Sequence, residues 1–438
     1  MCFTQLAVIC IGFFDNVMVG ILGKNALASV SLANAVFFIM IIFGFGISSA
    51  ISTLIASVDI KNEYKKGFFI FYHGLVLNFV LSIFMYTAVH IFFYLFPYLG
   101  QPKEILNDTI SFLEITSISF VPWMIFEIFR KFSEGLSLVF PSLVATWSSA
   151  IINIILNYIF LNGKFIFPKL GILGVAYATL ISRIIMLICI FILLFKYKRV
   201  RKYYNYFKFS YLKLKKEFFK KILKIGIPSG LHMLFEMSAF AVSSFISGKC
   251  GIKVLAAHQI VINLVSSTFL LSAGLSVAAT VRIGNQLALK NYSELRKVGK
   301  SILFMGFFFM LICNFIFIFF RKNIPFIYIN DKEVASIAEK MIIIASFFQL
   351  SDGLQGIILG ALRGLQDVHI PMWISLFSYW VVAIPIAWLL SIKIGGQGVW
   401  IGLGIGLTIS AILLFIRYET ITKRLVKKSN NNKYLFFR

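Results

Sequence analysis

Charged residues are scarce in this chain. Only 13% of its 438 residues are Asp, Glu, Lys or Arg, whereas a soluble domain averages about 25%. Hydrophobic residues make up 59%, and the mean hydropathy is +0.90. No stretch longer than about 30 residues is polar enough to form a soluble domain of its own. The composition therefore excludes an ordinary soluble protein and indicates one that is built into a membrane.

Signatures of disulfides, metal sites and enzymes are also missing. The five cysteines are scattered, and no C-x-x-C pair or Cys/His cluster is present. The D-x-x-D, H-E-x-x-H and G-x-S-x-G motifs are absent, which argues against an integral-membrane transferase. The triplet Gly299-Lys300-Ser301 lacks the earlier glycine of a P-loop, because Glu294 stands at that position. We expect neither an enzyme nor a bound cofactor.

Twelve apolar runs are long enough to cross a bilayer, which requires about 20 residues per helix. They cover residues 1–20, 28–57, 67–96, 106–129, 139–162, 170–196, 222–247, 254–287, 299–320, 335–361, 369–392 and 397–418. The first residues carry neither the basic region nor the cleavage site of a signal peptide. Because the chain begins inside an apolar run, we expect its first helix to be shortened.

Basic residues predict the orientation of these spans. If the N-terminus is cytoplasmic, 29 Lys and Arg residues fall in the inner loops and tail and 10 in the outer loops. Cytoplasmic loops carry such an excess, so we expect a multi-pass inner-membrane protein with both termini in the cytoplasm. This placement accounts for the net charge of +25 without a nucleic-acid partner. The most basic segment, Lys196 to Lys224, is expected to lie against anionic lipid headgroups.

The two halves of the chain resemble each other. Gly46-Ile-Ser-Ser-Ala50 recurs as Gly274-Leu-Ser-Val-Ala278, at a spacing of 228 residues, and Gly171-x-x-Gly-Val175 recurs as Gly395-x-x-Gly-Val399. With six spans per half, the repeat is parallel and predicts two all-α lobes related by a pseudo-two-fold axis along the membrane normal. The predicted parts are an N-lobe (1–196), a basic connector (197–221), a C-lobe (222–420) and a basic tail (421–438).

Three carboxylates lie deep within the predicted spans. Asp15, Glu236 and Asp352 would each cost roughly 2.5–3.5 kcal/mol at the bilayer centre on insertion scales. Such residues persist where they face a cavity, form a pair or carry a proton, and they mark ion or proton pathways. The sequence therefore predicts a cation-coupling or proton-coupling site in each half.

Polar residues accompany these acids at helical spacing. Asn153 and Asn157 lie one turn apart in the fifth span. Oxygen-rich clusters of this kind suit a hard monovalent cation, or a carboxyl group that burial keeps protonated. Further polar residues at helical spacing are candidates for lining a substrate cavity. They are His232, Gln259, Asn263, Gln349 and Gln355.

Other charges are predicted to form local ion pairs. The acids and bases near the cytoplasmic end of the fourth span stand at i, i+3 and i, i+4 spacing, which favours a network. Its members are Glu127, Arg130, Lys131 and Glu134. Arg363 and Asp367 are expected to pair after the tenth span. For Arg183, near the middle of the sixth span, the sequence indicates no partner.

Several motifs resemble those of the multidrug and toxic compound extrusion (MATE) transporters, and they occur in order along nearly the whole chain. They are Gly12-Phe-Phe-Asp15, Ala26-Leu-Ala28, Arg130-Lys-Phe-Ser-Glu134-Gly135, Ile227-Pro228 through Glu236, Ala256-Ala-His258-Gln259, Arg282-Ile-Gly284, Gln349-Leu-Ser-Asp352-Gly-Leu-Gln355 and Ala361-Leu-Arg363-Gly364-Leu-Gln-Asp367. The acid at Glu236 resembles the NorM-type branch of that family.

The resemblance implies twelve helices in two lobes around a V-shaped central cavity, and an exchange of inward Na⁺ or H⁺ for outward drug. The family's cation clusters map onto these positions: Asp15, Asn153, Asn157 and Thr179 in the N-lobe, and Glu236 and Asp352 in the C-lobe. Some relatives carry a tyrosine one turn before the span-ten acid. This chain has Phe348 there and lacks that hydroxyl.

The expected function is export of small, often cationic, organic molecules by a monomer, coupled to Na⁺ or H⁺. An alternative from the same superfamily is a flippase of lipid-linked oligosaccharides. Such flippases tend to have a cationic central cavity, whereas the deep charges here are chiefly acidic. The sequence leaves open the physiological substrate and the choice between Na⁺ and H⁺.

Overall fold

The computed structural model of the chain describes residues 2–94, 103–164, 168–206 and 213–435. Within these ranges nearly all residues are helical and no β-strand occurs. Residues 207–212 of the predicted connector and 436–438 of the predicted tail lie outside the described residues, as do Met1 and the last two residues of the third predicted span.

The first six predicted spans correspond to seven helices, and an eighth helix begins the connector. The helices are α1 Cys2–Gly20, α2 Lys24–Asp59, α3 Tyr64–Phe93, α4 Lys103–Ile118, α5 Phe120–Gly135, α6 Phe140–Asn162, α7 Ile172–Phe195 and α8 Lys198–Tyr204. Helices α4 and α5 meet at an angle of 43° and together form the fourth span. The α6 helix ends at Gly163, whose φ of +62° is the left-handed conformation that terminates many helices.

The second six predicted spans are helical as well. The helices are α9 Lys216–Lys249, α10 Ile252–Ala288, α11 Tyr292–Phe320, α12 Ile324–Tyr328, α13 Lys332–Gly364, α14 His369–Leu376, α15 Ile384–Ile394 and α16 Gly396–Leu435. A π-helical segment, Phe377–Ala383, joins α14 to α15, so that these three form one continuous span. Pro385 follows directly and cannot donate a backbone hydrogen bond, which favours an irregular turn at this point.

Ten helical spans in the described ranges are individually long and apolar enough to cross a membrane, and the bent α4–α5 pair makes an eleventh. Helix α1 occupies the first predicted span. The predicted all-α polytopic fold is therefore confirmed.

The chain forms two compact units, Phe3–Gly230 and Leu231–Arg438. The division falls inside α9, after the predicted start of the C-lobe at residue 222. The first part of α9 belongs to the first unit because it touches the backbone of α2. A Cβ atom on Gly46 would lie 2.1 Å from Cα of Gly230, and one on Gly226 would lie 2.9 Å from Cα of Ile47. Only glycine permits helices to approach so closely.

The connector helix α8 is held on the first unit by a buried carboxylate at the end of α2. Asp59 is 7% exposed and accepts a hydrogen bond of 2.6 Å from the hydroxyl of Tyr203. Its other oxygen pairs with the guanidinium of Arg199. The ring of Tyr203 packs edge-on against Phe132, above Gly67, where no side chain intervenes. An ion pair, a hydrogen bond and a ring contact therefore hold α8 against the rest of the first unit.

The far end of the connector is also attached to the first unit. The backbone N–H of Lys215 donates to Nε2 of His73 at 2.8 Å, while Nδ1 of His73 lies 2.7 Å from the carbonyl oxygen of Phe69. Because Nε2 accepts, the ring proton must be on Nδ1, where it is donated to Phe69. The neutral histidine thus joins the connector to α3.

Candidate coupling sites

The N-lobe cluster consists of Asp15 on α1 and two asparagines on α6. The amide Nδ2 of Asn157 lies 2.6 Å from Oδ1 of Asp15 and 3.2 Å from Oδ1 of Asn153. Both asparagines are fully buried, and their spacing of one helical turn places them on one face of α6. A single amide group therefore joins the acid to the second amide.

Two polar atoms of this cluster have no hydrogen-bond partner in the described part of the chain. They are Nδ2 of Asn153 and Oδ1 of Asn157. A buried polar atom without a partner costs about 1–3 kcal/mol, and such atoms call for a bound water or ion. Thr179 on α7 is buried as well, but among the described residues its hydroxyl is not bonded to Asp15 or to the asparagines. Carboxylate and amide oxygens from α1 and α6 are thus available to a cation.

Arg183 on α7 has partners that the sequence did not indicate. Its guanidinium lies 3.9 Å from the ring centre of Trp123 and 4.4 Å from that of Phe37. Its Nη1 donates a hydrogen bond to the hydroxyl of Ser119, between α4 and α5. The same charge is within electrostatic range of Asp15. A fixed positive charge therefore acts on the acid of this lobe.

The C-lobe cluster brings three helical segments together. Tyr379 of the π-helical segment donates a hydrogen bond of 2.9 Å to Oε1 of Glu236 on α9. Gln355 on α13 donates through Nε2 to the Tyr379 oxygen at 2.7 Å, and at 3.4 Å to the same oxygen of Glu236. The three side chains are at most 5% exposed. One oxygen of Glu236 therefore accepts hydrogen bonds from two buried donors.

Asp352 completes this cluster from α13, one turn before Gln355. It is 3% exposed, and its carboxyl group has no hydrogen-bond partner among the described residues. It is near enough to Glu236 for their charges to repel each other. Two buried carboxyl groups at close range are stabilised when they share a proton or a cation. The two acids that the resemblance assigns to the C-lobe are thus brought to one site.

The sequence did not identify Tyr379. Its only signal is a hydroxyl-bearing residue in an apolar span a few residues before Pro385, which is common in membrane helices. Phe348, where some relatives have a tyrosine, is buried and stacks on Trp400 at 5.8 Å between ring centres. A Cβ atom on Gly404 would lie 2.7 Å from the Phe348 ring. Phe348 therefore packs against α16, and the tyrosine hydroxyl that contacts Glu236 comes from the next span.

The candidate cavity residues fall into two groups. Gln259 and Asn263 are exposed on α10. Gln349 is buried and donates to the hydroxyl of Thr268 at 2.6 Å, which leaves its Oε1 without a described partner. His232 is buried one turn before Glu236, and its Nε2 has no partner in the described ranges. Gln355 belongs to the acidic cluster instead.

The predicted ion network at the end of α5 is confirmed. Its contacts run from Arg130 to Glu127 at 2.7 Å and from Lys131 to Glu134 at 2.8 Å, with longer cross-contacts of 3.8 Å. The predicted pair between Arg363 and Asp367 is wrong.

Asp367 instead accepts from Arg417 on α16 at 2.8 Å, and Arg363 donates to the hydroxyl of Ser276 at 3.0 Å. The left-handed φ of +61° at Gln366 turns the chain after α13, which directs Asp367 away from that helix. Helical spacing therefore does not apply beyond Gly364.

No group of three or more His, Cys, Asp or Glu side chains that could hold a metal occurs among the described residues. The two clusters offer at most two carboxylates each, with amide oxygens beside them. Such sets suit a proton or a monovalent cation better than a transition metal, which prefers imidazole and thiolate ligands.

Known proteins with similar sequences cover almost the whole chain. It is 29% identical over 416 residues to the multidrug resistance protein NorM of Photobacterium profundum, covering 94% of this chain and 91% of that protein. It is 30% identical over 429 residues to the probable multidrug resistance protein NorM of Acinetobacter baylyi, covering 97% and 95%.

Solved structures share the fold. A multidrug resistance MATE family transporter of the MOP superfamily, in its outward-facing conformation, superposes with a TM-score of 0.90 over 98% of this chain at 20% identity. A MOP superfamily transporter from Pyrococcus furiosus, whose reversed pocket polarity suggests a different function for that protein, gives a TM-score of 0.86 over 97% at 19% identity. The MatE family itself matches residues 1–159 and 228–389. The family match, the similar sequences and the shared fold all indicate the same family, and the two acidic clusters in membrane helices agree with it. The chain therefore belongs to the MatE family of transporters and is not an enzyme.

Proposed function

We propose that this protein is a secondary active multidrug efflux transporter of the inner membrane. It exchanges inward Na⁺ or H⁺ for outward small organic compounds, many of them cationic. The observation that carries the proposal is the pair of acidic clusters, half-buried Asp15 with two buried asparagines in one unit and buried Glu236 with buried Asp352 in the other. Relatives at about 30% identity are named multidrug resistance proteins, which supports the substrate class.

The chemistry of the clusters supports such an exchange. A carboxylate within a membrane span is costly unless something neutralises it. An organic cation, a proton or Na⁺ can each do so, and they therefore compete for the same charge. When the coupling ion binds the acids, their attraction for the organic cation falls and the drug is released. Return of the ion to the cytoplasm restores the negative charge for the next cycle.

Transport into everted membrane vesicles tests the proposal. Vesicles carrying the protein should accumulate ethidium, a fluorescent organic cation, under an imposed Na⁺ or H⁺ gradient without ATP. Asp15→Asn, Glu236→Gln and Asp352→Asn each keep the shape of the side chain but remove its charge. We expect each variant to reduce accumulation to the level of vesicles that lack the protein.

Glu217→Gln is the matched control. This acid lies at the exposed start of α9, where it pairs with Lys221, so its neutralisation should leave accumulation unchanged. If the Asp15, Glu236 and Asp352 variants all retain full gradient-driven accumulation, the proposed coupling sites are wrong. Accumulation that requires ATP would contradict secondary transport altogether.

The charge distribution supports the proposed orientation. Most exposed side chains of α8 and of the start of α9 are basic, among them Lys198, Arg201, Lys202, Lys216 and Lys220. We propose that they face the cytoplasm and lie against anionic lipid headgroups, with both termini on the same side. We also propose that the transporter acts as a monomer.

A further inference from the structure

A cavity of about 430 Å³ lies at the end of α9, outside both acidic clusters. Its walls come from the last turn of α9 and the second half of α15, and all of them belong to the second unit. At about 1.5 Å per residue, this end of α9 lies about 20 Å along the helix from Glu236. The volume is within the range of about 300–1,000 Å³ that small-molecule sites occupy, and we call this site the end cavity. The residues that line it include Ile246, Lys249, Cys250, Trp388, Ser391 and Ile392.

The length of α9 places the end cavity near a membrane surface. The helix has 34 residues and rises about 1.5 Å per residue, so it is about 50 Å long. A bilayer with its headgroups is about 40–45 Å thick. Because α9 begins at the basic connector, its last residue, Lys249, lies among the headgroups of the opposite leaflet. With the connector at the cytoplasmic surface, as proposed above, the end cavity is at the outer surface.

Two donor groups on the wall of the end cavity have no acceptor in the described part of the chain. Nζ of Lys249 lies 4.5 Å from the ring centre of Trp388, and no described carboxylate pairs with it, whereas Lys253 pairs with Glu333. The indole N–H of Trp388 has no acceptor among the described residues either, and this side chain is partly exposed. None of the described residues that line the cavity is acidic. The end cavity therefore carries an uncompensated positive charge.

The other polar side chains of the wall bind within the protein. Sγ of Cys250 donates to the carbonyl oxygens of Ile246 at 3.5 Å and of Ser391 at 3.9 Å. The hydroxyl of Ser391 donates to the carbonyl oxygen of Trp388 at 2.7 Å. These contacts hold the end of α9 against α15 and leave the ammonium of Lys249 and the indole N–H as the donors for a ligand. An anion with several acceptor oxygens, such as a phosphate, matches two donors and a positive charge.

Exposed apolar side chains continue from the end cavity along both helices. Phe245 on α9, one turn before Lys249, is exposed, and so are Leu389 and Ile392 on α15. Because both helices end at this membrane surface, their preceding turns lie deeper in the bilayer. A free anion has no favourable contact with such a surface, whereas the acyl chains of a lipid cover it. The charge and the apolar surface together therefore match an anionic amphiphile.

We propose that the end cavity binds the headgroup phosphate of one anionic phospholipid, held by Lys249 and the indole N–H of Trp388. The acyl chains lie along Phe245 and Leu389. A lysine and a tryptophan at the end of a helix anchor it in any bilayer, and the cavity beside them adds room for a single headgroup. The site is in the leaflet opposite the basic connector, and it depends neither on the exported compound nor on the coupling ion.

Protection of Cys250 from a maleimide tests the proposal, because this free cysteine lines the end cavity. The full chain, with its other four cysteines replaced by alanine, is purified in detergent. Phosphatidylglycerol should slow the labelling of Cys250, and phosphatidylcholine with the same acyl chains should slow it far less, because its choline offsets the phosphate charge. Lys249→Gln should raise the phosphatidylglycerol concentration for half-maximal protection about five-fold, since one lysine near an anionic lipid contributes about 1 kcal/mol.

Lys393→Gln is the matched control. Lys393 is exposed in the last turn of α15 but does not line the end cavity, so this variant removes the same charge from the same membrane surface. It should leave the concentration for half-maximal protection unchanged. Equal shifts for Lys249→Gln and Lys393→Gln would indicate general surface attraction and overturn the proposal. Equal protection by the two lipids, or by inorganic phosphate alone at the same concentration, would also overturn it.

Discussion

Arg183 shows how a charge within a membrane span is stabilised by its immediate neighbours. Its guanidinium lies between the rings of Phe37 and Trp123 and donates to Ser119. A planar guanidinium can stack on aromatic faces while its N–H groups bond at the edge, which the compact ammonium group of lysine cannot do. The rings that surround Arg183 would otherwise form a suitable place for an organic cation.

The Arg183→Lys variant should accordingly be less stable, although it keeps the charge. We expect a loss of about 1–2 kcal/mol from the free energy of unfolding, because two cation–π contacts and a hydrogen bond are weakened. Thermal unfolding of the purified protein in detergent measures this loss of stability. Arg321→Lys is the control, since Arg321 pairs with Glu339 at a partly exposed position. Equal losses in the two variants would contradict a special role for the aromatic pair.

The pairing of α10 with α13 depends on small residues and hydroxyl groups. Ser276 donates to the carbonyl oxygen of Gly356 at 2.6 Å, and Thr280 donates to that of Gly360 at 2.8 Å. Such bonds require close backbones, and within a membrane they replace the hydrophobic effect as a cause of helix association. Because α13 also carries Asp352 and Gln355, this contact holds two members of the C-lobe cluster in place.

A methyl group at Gly360 should therefore separate these helices. Its Cβ would lie 2.2 Å from the carbonyl oxygen of Ser276, and relief of such a contact costs about 1–3 kcal/mol. We expect Gly360→Ala to lower the unfolding temperature, measured by thermal unfolding in detergent.

Gly12→Ala makes the same change in α1, where no atom lies within 4 Å of the new methyl group. Alanine favours a helix more than glycine does, so this control should be neutral or slightly stabilising. A loss as large as that of Gly360→Ala would show that the effect is not one of helix contact.

The charge asymmetry of the whole chain predicts its orientation in the membrane. Lys297, near the start of α11, and Lys322, just after its end, are both exposed, and the positive-inside rule assigns them to opposite sides. In a cysteine-free background, Lys322→Cys should react with a membrane-impermeant maleimide in intact cells. Lys297→Cys should react only after the cells are permeabilised. The opposite labelling pattern would reverse the proposed orientation.

The sequence predicted the architecture because a membrane span leaves a strong signal in composition. Every predicted span contains helix where the structure describes it, and the Asp15, Asn153 and Asn157 cluster followed from resemblance and one-turn spacing. Contacts between distant segments leave no such signal. Tyr379 is 143 residues from Glu236 in the chain, and Arg183 is 64 residues from Ser119. The predicted Arg363–Asp367 pair was wrong because α13 ends at Gly364 and the left-handed Gln366 follows, so helical periodicity no longer holds at Asp367.

The attachments of the connector change what this segment can do. Asp59 holds α8 at one end and His73 holds Lys215 at the other, and the first part of α9 belongs to the same unit. The basic segment between α7 and α9 is thus attached to the first unit at both of its ends and is not a free linker between two units. The covalent path from one unit to the other runs through the α9 helix itself, at Gly230 and Leu231. Extra residues inserted between Asn205 and Lys213 would therefore lengthen this segment but leave the connection between the two units unchanged. That connection, at Leu231 in α9, lies only five residues before Glu236.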